Sequence, residues 1–113
     1  MDLLEKIKIL NNHLGAKNFK KVIDGSKILL NKLPNNDYLL NLTGMAYQGL
    51  SQHQNSIKFF NEALKLAPSN IAAMNNLANS YKAIGKLEDA KDLYEKILKT
   101  NPNYINAYNN YAN

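Results

Sequence analysis

The sequence predicts an all-α fold in which helical hairpins of one repeating length are stacked side by side. The three prolines of the chain, Pro34, Pro68 and Pro102, recur every 34 positions. The segment IAAMNNLAN, which begins at Ile71, is echoed by INAYNNYAN, which begins 34 positions later at Ile105. Because a fixed period of roughly 20–50 residues is the signature of repeat architectures, these spacings predict a solenoid.

Each repeating unit contains two apolar patterns with helical spacing. In the third unit, Met74, Leu77 and Tyr81 share one face of a first helix, which Gly85 ends. A second pattern follows and ends before Pro102, because proline cannot continue a helix. The same signals along the chain predict about seven helices, near residues 2–14, 18–31, 36–49, 53–66, 70–83, 87–100 and 104–113.

The helices are expected to form a single domain of four units, which cover about 3–36, 37–70, 71–104 and 105–113. The first unit is a divergent cap, and the fourth stops after its first helix. Because a repeat stack needs a polar closing face, we expect the chain to be a fragment of a longer repeat protein. We also expect the uncovered C-terminal helix to promote self-association through Tyr104, Tyr108 and Tyr111.

Small and aromatic residues recur at matching positions of the second and third units. Gly44 and Ala78 fall on first helices, where two helices can approach closely only beside a small side chain. The matching small residues on the second helices are Ser56 and Ala90. The aromatic residues expected to fill the core beside them are Tyr47, Phe60, Tyr81 and Tyr94.

This combination of period, small residues and closing proline resembles the tetratricopeptide repeat, a helical hairpin of about 34 residues. The matching residues are Gly44, Tyr47, Ser56, Phe60, Ala63 and Pro68 in the second unit, and Ala78, Tyr81, Gly85, Ala90, Tyr94 and Pro102 in the third. The resemblance implies a right-handed α–α superhelix whose first helices line a concave surface. It also implies that the chain is a scaffold that holds a peptide or protein partner on that surface.

Asparagine recurs along the predicted concave surface, and its amide can both donate and accept hydrogen bonds to the main chain of a peptide. The residues expected to bind a partner are Asn41, Met45, Gln48, Asn75, Asn76, Asn79, Lys82, Asn109 and Asn110. The motif NNLAN from Asn75 to Asn79 resembles the asparagine ladder of O-linked N-acetylglucosamine transferases, although Lys8 and Leu42 interrupt the row. The alternative that asparagine is abundant here through base composition stays open.

Two functions are compatible with such a surface. The first is a free protein-interaction scaffold, and the alternative is the substrate-recruiting region of a larger glycosyltransferase or sulfotransferase. Related repeat domains clamp the acidic C-termini of heat-shock chaperones with Lys, Asn and Arg. The corresponding positions here are Ile7, Asn11, Leu42, Ala72 and Asn76. Only Asn11 fits, so a clamp for a terminal carboxylate is not expected.

The charge of the chain does not indicate a nucleic-acid partner. The net charge of +5 comes from fourteen lysines and nine acidic residues. The lysines are dispersed among Asp and Glu, and arginine, which suits bidentate contacts to phosphate and guanine, is absent. These lysines are therefore expected to form a solvated exterior.

No catalytic residue, cofactor or metal is expected, and the chain is not predicted to be an enzyme. It contains no cysteine, and His13 and His53 fall in different units. No cluster of His, Asp or Glu has metal-ligand spacing. No apolar run approaches the roughly 18 residues of a membrane span, and Asp2 and Glu5 stand where a secretory signal carries bases. A cytoplasmic protein without a membrane partner is expected.

Overall fold

The computed structural model describes residues 1–104, which form six α-helices in three hairpins. The helices are Leu3–Gly15 (α1), Phe19–Lys32 (α2), Asp37–Gly49 (α3), His53–Leu66 (α4), Ile71–Ala83 (α5) and Leu87–Thr100 (α6). Every boundary lies within one residue of its predicted position, so the all-α solenoid is confirmed. The predicted seventh helix, with Tyr108, Asn109, Asn110 and Tyr111, lies outside the described residues.

The hairpins are stacked in chain order. Each second helix packs against the first helix of the next hairpin, so α2 contacts α3 and α4 contacts α5, and the first helices α3 and α5 also touch. The stack is elongated, with extents of 42 × 25 × 21 Å. No helix within residues 1–104 is long and apolar enough to cross a membrane.

The first helix of each hairpin begins at a side chain that caps it. The Oδ1 atoms of Asp2, Asn36 and Asn70 accept hydrogen bonds from the backbone N–H three residues later, at 2.8, 2.9 and 3.1 Å. These bonds satisfy backbone donors that have no partner within the helix. Asn36 and Asn70 each follow a proline by two residues, so three residues end one hairpin and begin the next.

The turn inside each hairpin has a residue with a left-handed backbone conformation at the same repeat position. Lys17, Ser51 and Gly85, which occupy equivalent positions of the three units, have φ angles of 62°, 59° and 82°. Only the third hairpin has glycine there, the residue that adopts this conformation without strain. The repeat therefore fixes the backbone shape of the turn even where the side chain is unfavourable.

Close helix packing at the predicted small residues is confirmed. A Cβ atom added to Gly44 would lie 2.5 Å from the ring of Phe60. Ser56, Ala78 and Ala90 are buried. Among the predicted core aromatics, Phe60 and Tyr94 are buried, whereas Tyr47 and Tyr81 are half-buried at the edges of the core.

Within residues 1–104, many of the buried apolar side chains fall into two clusters. The first joins α1, α2 and α3 through Leu10, Val22, Ile23, Leu29, Leu39, Leu42 and Ala46. The second joins α5 and α6 through Met74, Ala78, Ala90, Tyr94 and Ile97, and Tyr104 packs against its edge. Between them, a buried hydrogen bond of 2.8 Å connects the hydroxyls of Ser56 and Ser80, where α4 meets α5.

Candidate functional site

The non-core positions of α1, α3 and α5 form one polar surface, which we call the first-helix surface. Its described members are Asn11, Tyr38, Asn41, Met45, Gln48, Asn76 and Lys82. The direct contact between α3 and α5 brings side chains from successive hairpins together on it. Side chains of successive units thus become neighbours on a single surface.

Hydrogen bonds cross the boundary between α3 and α5 on this surface. The Nδ2 atom of Asn76 donates to Oδ1 of Asn41 at 3.5 Å, and Nδ2 of Asn41 points to the Met45 sulfur at 3.7 Å. Gln48 is held more tightly, because its Nε2 donates to the backbone oxygen of Asn76 and to the Ser80 hydroxyl, both at 2.9 Å. Gln48 therefore fixes the position of α5 beside α3.

The hydrogen bond between Asn41 and Asn76 is longer than the usual N–H···O distance of about 2.7–3.2 Å and is therefore weak. Such a bond orients the two amides but can be exchanged readily for hydrogen bonds to a ligand. Each amide has a second N–H group and further oxygen lone pairs that a ligand can use. Both side chains are half-buried, so they remain accessible from solvent.

Two of the predicted partner-binding residues have structural roles. Asn75 is only 7% exposed and already takes part in an interaction. Asn79 accepts a hydrogen bond from the hydroxyl of Tyr94, which connects α5 to α6 within the third hairpin. Burial raises the pKa of the Tyr94 phenol, so this group stays protonated and donates at neutral pH.

The structure thus brings Asn41, Met45, Gln48 and Asn76 together on one surface. Lys82, near the end of α5, is half-buried and takes part in an interaction. The predicted members Asn109 and Asn110 lie outside the described residues. The binding role of the whole set stays a prediction.

Sequence reasoning missed two contacts that organise the surface. The Tyr38 hydroxyl donates to Oδ1 of Asn11 at 2.9 Å and ties α1 to α3. Gln48 reaches across to α5, as described above. Both contacts join residues of neighbouring hairpins that are 27 and 32 positions apart, and since neither separation equals the 34-residue period, no sequence signal indicated them.

The surface lacks the cations that would hold a carboxylate at the chaperone-clamp positions. Leu42 is buried in the first apolar cluster, so that position offers no polar group to a ligand. Ile7 packs against the same cluster, and Ala72 is exposed but apolar. Within residues 1–104, no group of three His, Asp or Glu side chains could hold a metal ion.

Comparison with known proteins now assigns the family. The family model described as the N-terminal TPR repeats region of Psidin matches residues 5–111, which is most of the chain. The chain belongs to the tetratricopeptide repeat (TPR) family. No curated protein sequence matches it. The narrower likeness to O-linked N-acetylglucosamine transferases stays a prediction.

Several solved TPR domains have the same fold. The first TPR domain of Spaghetti (RPAP3), bound to the HSP90 peptide SRMEEVD, has a TM-score of 0.90 and 26% identity, over 96% of this chain and 86% of that one. The second TPR domain of human RPAP3, in complex with the HSP70 peptide SGPTIEEVD, has a TM-score of 0.89 and 19% identity, over 96% and 91%. The Sgt2 TPR domain from Aspergillus fumigatus has a TM-score of 0.87 and 21% identity, over 96% and 73%.

Proposed function

We propose that this TPR domain is a protein-interaction module that binds an extended segment of another polypeptide along the first-helix surface. The observation that carries the proposal is the pair of half-buried amides, Asn41 and Asn76, that meet across the boundary between α3 and α5. Amide side chains match the N–H and C=O groups of a peptide main chain. Because Gln48 fixes the two helices relative to each other, little order must be gained on binding.

The bound segment is proposed to be neutral. Two similar TPR domains hold peptides that end in EEVD, and such acidic ends need cationic partners. In this chain Ile7, Leu42 and Ala72 occupy the positions where such cations would stand. The exposed side chains of Leu4 on α1 and Tyr38 on α3 instead offer apolar contacts on the first helices. We therefore propose a partner segment that combines main-chain hydrogen bonds with apolar side chains.

A cytoplasmic location, expected from the sequence, is part of the same proposal. Substrate recruitment within a larger enzyme would use the same surface and stays a prediction. The scaffold proposal is the more economical of the two, because it needs only the side chains that the structure brings together.

Peptide selection from a library of random segments, with the whole chain as bait, tests the proposal. The selected peptides are expected to be neutral and to lose about tenfold in affinity when Asn41→Ala and Asn76→Ala are combined, because two hydrogen bonds to the ligand are lost. Isothermal titration gives the affinities, and circular dichroism checks that the helix content is unchanged.

The matched control is Asn61→Ala, which removes an exposed amide from the second helix α4 and should leave the affinity unchanged. The peptides SRMEEVD and SRMQQVN provide a further comparison, since they differ only in charge. A clear preference for the acidic peptide, or full affinity in the Asn41/Asn76 double variant, would contradict the proposal.

A further inference from the structure

A groove between α1 and α2 is the second surface with the features of a binding site. It has a volume of about 230 Å³ and shares no residue with the first-helix surface. Its apolar floor and sides are formed by Ile9, Leu10, Ile28 and Leu29, and Lys6, Gly25 and Lys32 complete its lining. We propose that this groove is a docking surface for an amphipathic helix of another polypeptide that bears acidic residues at one end of its apolar stripe.

The later hairpins show what kind of element fits the α1 side of the groove. The residues at the position of Ile9 in the second and third units are Thr43 and Leu77, which are 0% and 3% exposed. Both lie on first helices against which the second helix of the preceding hairpin packs, α2 on α3 and α4 on α5. Ile9 is 40% exposed. Within residues 1–104, α1 has no such helix before it, and the position that is buried in α3 and α5 is exposed on α1, which favours a helix as the element that covers it.

The α2 side of the groove also exposes an apolar residue where the later units do not. Ile28 is 62% exposed, and the residues at its position in α4 and α6 are Glu62 and Lys96. A solvated position that is polar in two hairpins is thus apolar in the first. Together with Ile9 it forms a continuous apolar strip, and apolar strips with a polar rim mark interaction sites.

Charge selects the occupant. Lys6 lies in the first turns of α1 and Lys32 is the last residue of α2, so the hairpin brings both to the same end of the groove. No acidic residue is among those that line it. A second copy whose groove ran parallel to this one would oppose lysine to lysine, which is unfavourable. A helix with carboxylates at one end of its apolar stripe pairs with both lysines and buries the strip.

Two synthetic helical peptides of about 18 residues, long enough to form a helix, test this assignment. They have the same leucine stripe, and one has glutamates and the other lysines at the C-terminal end of that stripe. Amide-resolved NMR spectra of the whole chain should shift at Leu10, Gly25, Ile28 and Leu29 on addition of the glutamate peptide. The lysine peptide is expected to bind at least about tenfold more weakly, because like charges meet.

Two variants separate this surface from its alternatives. Ile28→Glu should abolish binding without loss of helicity, since Ile28 is largely exposed. The double reversal Lys6→Glu with Lys32→Glu should make the lysine peptide the tighter ligand, which a merely structural role would not do. The Asn41→Ala/Asn76→Ala variant should bind both peptides as the unmodified chain does, so a failure of the first-helix proposal does not affect this result.

Three outcomes would overturn the inference. The first is equal or absent binding of the two peptides, which would leave no role for Lys6 and Lys32. The second is a set of spectral shifts that maps to the first-helix surface. The third is a concentration-dependent dimer of the free chain that Ile28→Glu dissociates in sedimentation, which would assign the groove to a second copy.

Discussion

The first and second hairpins close the same helix crossing with opposite arrangements of large and small side chains. In the second hairpin the small residue is Gly44 on α3, and the large one is Phe60 on α4. The equivalent residues of the first hairpin are Leu10 on α1 and Ser26 on α2, so the large side chain is on the first helix instead. Leu10 then lies against Gly25 of α2. The fold thus fixes the volume that a pair of residues must fill and leaves open which helix fills it.

The arrangement in the first hairpin leaves a buried polar group without a hydrogen bond and leaves apolar side chains exposed. The Ser26 hydroxyl is fully buried and finds no hydrogen-bond partner within the described residues. A buried polar group without a partner is destabilising. The first hairpin also exposes Ile9 and Ile28. The hairpin that departs most from the repeat pattern is therefore the one with an uncovered apolar groove.

Replacement by alanine at the same repeat position should have very different effects on the stability of the two hairpins. Phe60→Ala is expected to lower the free energy of unfolding by about 3–5 kcal/mol, because it removes a buried ring and leaves a cavity. Ser26→Ala should instead raise the free energy of unfolding, by up to about 1 kcal/mol, because it removes a buried hydroxyl that has no hydrogen-bond partner. Urea denaturation followed by circular dichroism measures both.

If Phe60→Ala proves too unstable to measure, Phe60→Leu gives a smaller loss of the same sign. Similar losses for Phe60→Ala and Ser26→Ala would show that the two crossings are not filled in opposite ways.

Transfer of the second hairpin's arrangement to the first sharpens the comparison. Ser26→Phe alone should cost about 1–3 kcal/mol of stability through overpacking against Leu10. Leu10→Gly alone should also destabilise, because it empties the crossing. The two changes together are expected to cost less than their sum by at least about 1 kcal/mol, since the ring fills the space that leucine leaves. Strict additivity in the double-mutant cycle would show that the two positions do not share one volume.

The hairpin turns offer the smallest effect. Ser51→Gly should raise the free energy of unfolding by about 0.5–1 kcal/mol, because relief of the left-handed strain exceeds the greater flexibility of glycine in the unfolded chain. The converse change, Gly85→Ser, is the matched control in the third hairpin and should destabilise by a similar amount. Thermal or urea unfolding measures both, and a loss of stability in Ser51→Gly would contradict the strain argument.

The roles of asparagine show how far sequence reasoning reaches in this chain. Asn36 and Asn70 cap helices through bonds to the backbone N–H three residues later, a role that involves only neighbouring residues. Asn41 and Asn76, both expected on the partner-binding surface, contact each other between α3 and α5, and their binding role stays a prediction. Asn79, which the sequence pattern also places on that surface, accepts a hydrogen bond from Tyr94 of the next helix. Its role depends on the distance between two helices, which no local pattern contains.

The sequence by itself determined the helices, their order and their pairing into hairpins. Prolines and capping residues act within a few positions, and the apolar spacing and the repeat period extend those signals along the whole chain. Only the tertiary structure decided how each crossing is filled, which amides remain accessible, and where apolar surface stays uncovered. These depend on the packing of side chains that are distant in sequence, such as Gly44 with Phe60, and so on volumes and distances that exist only once the helices are stacked.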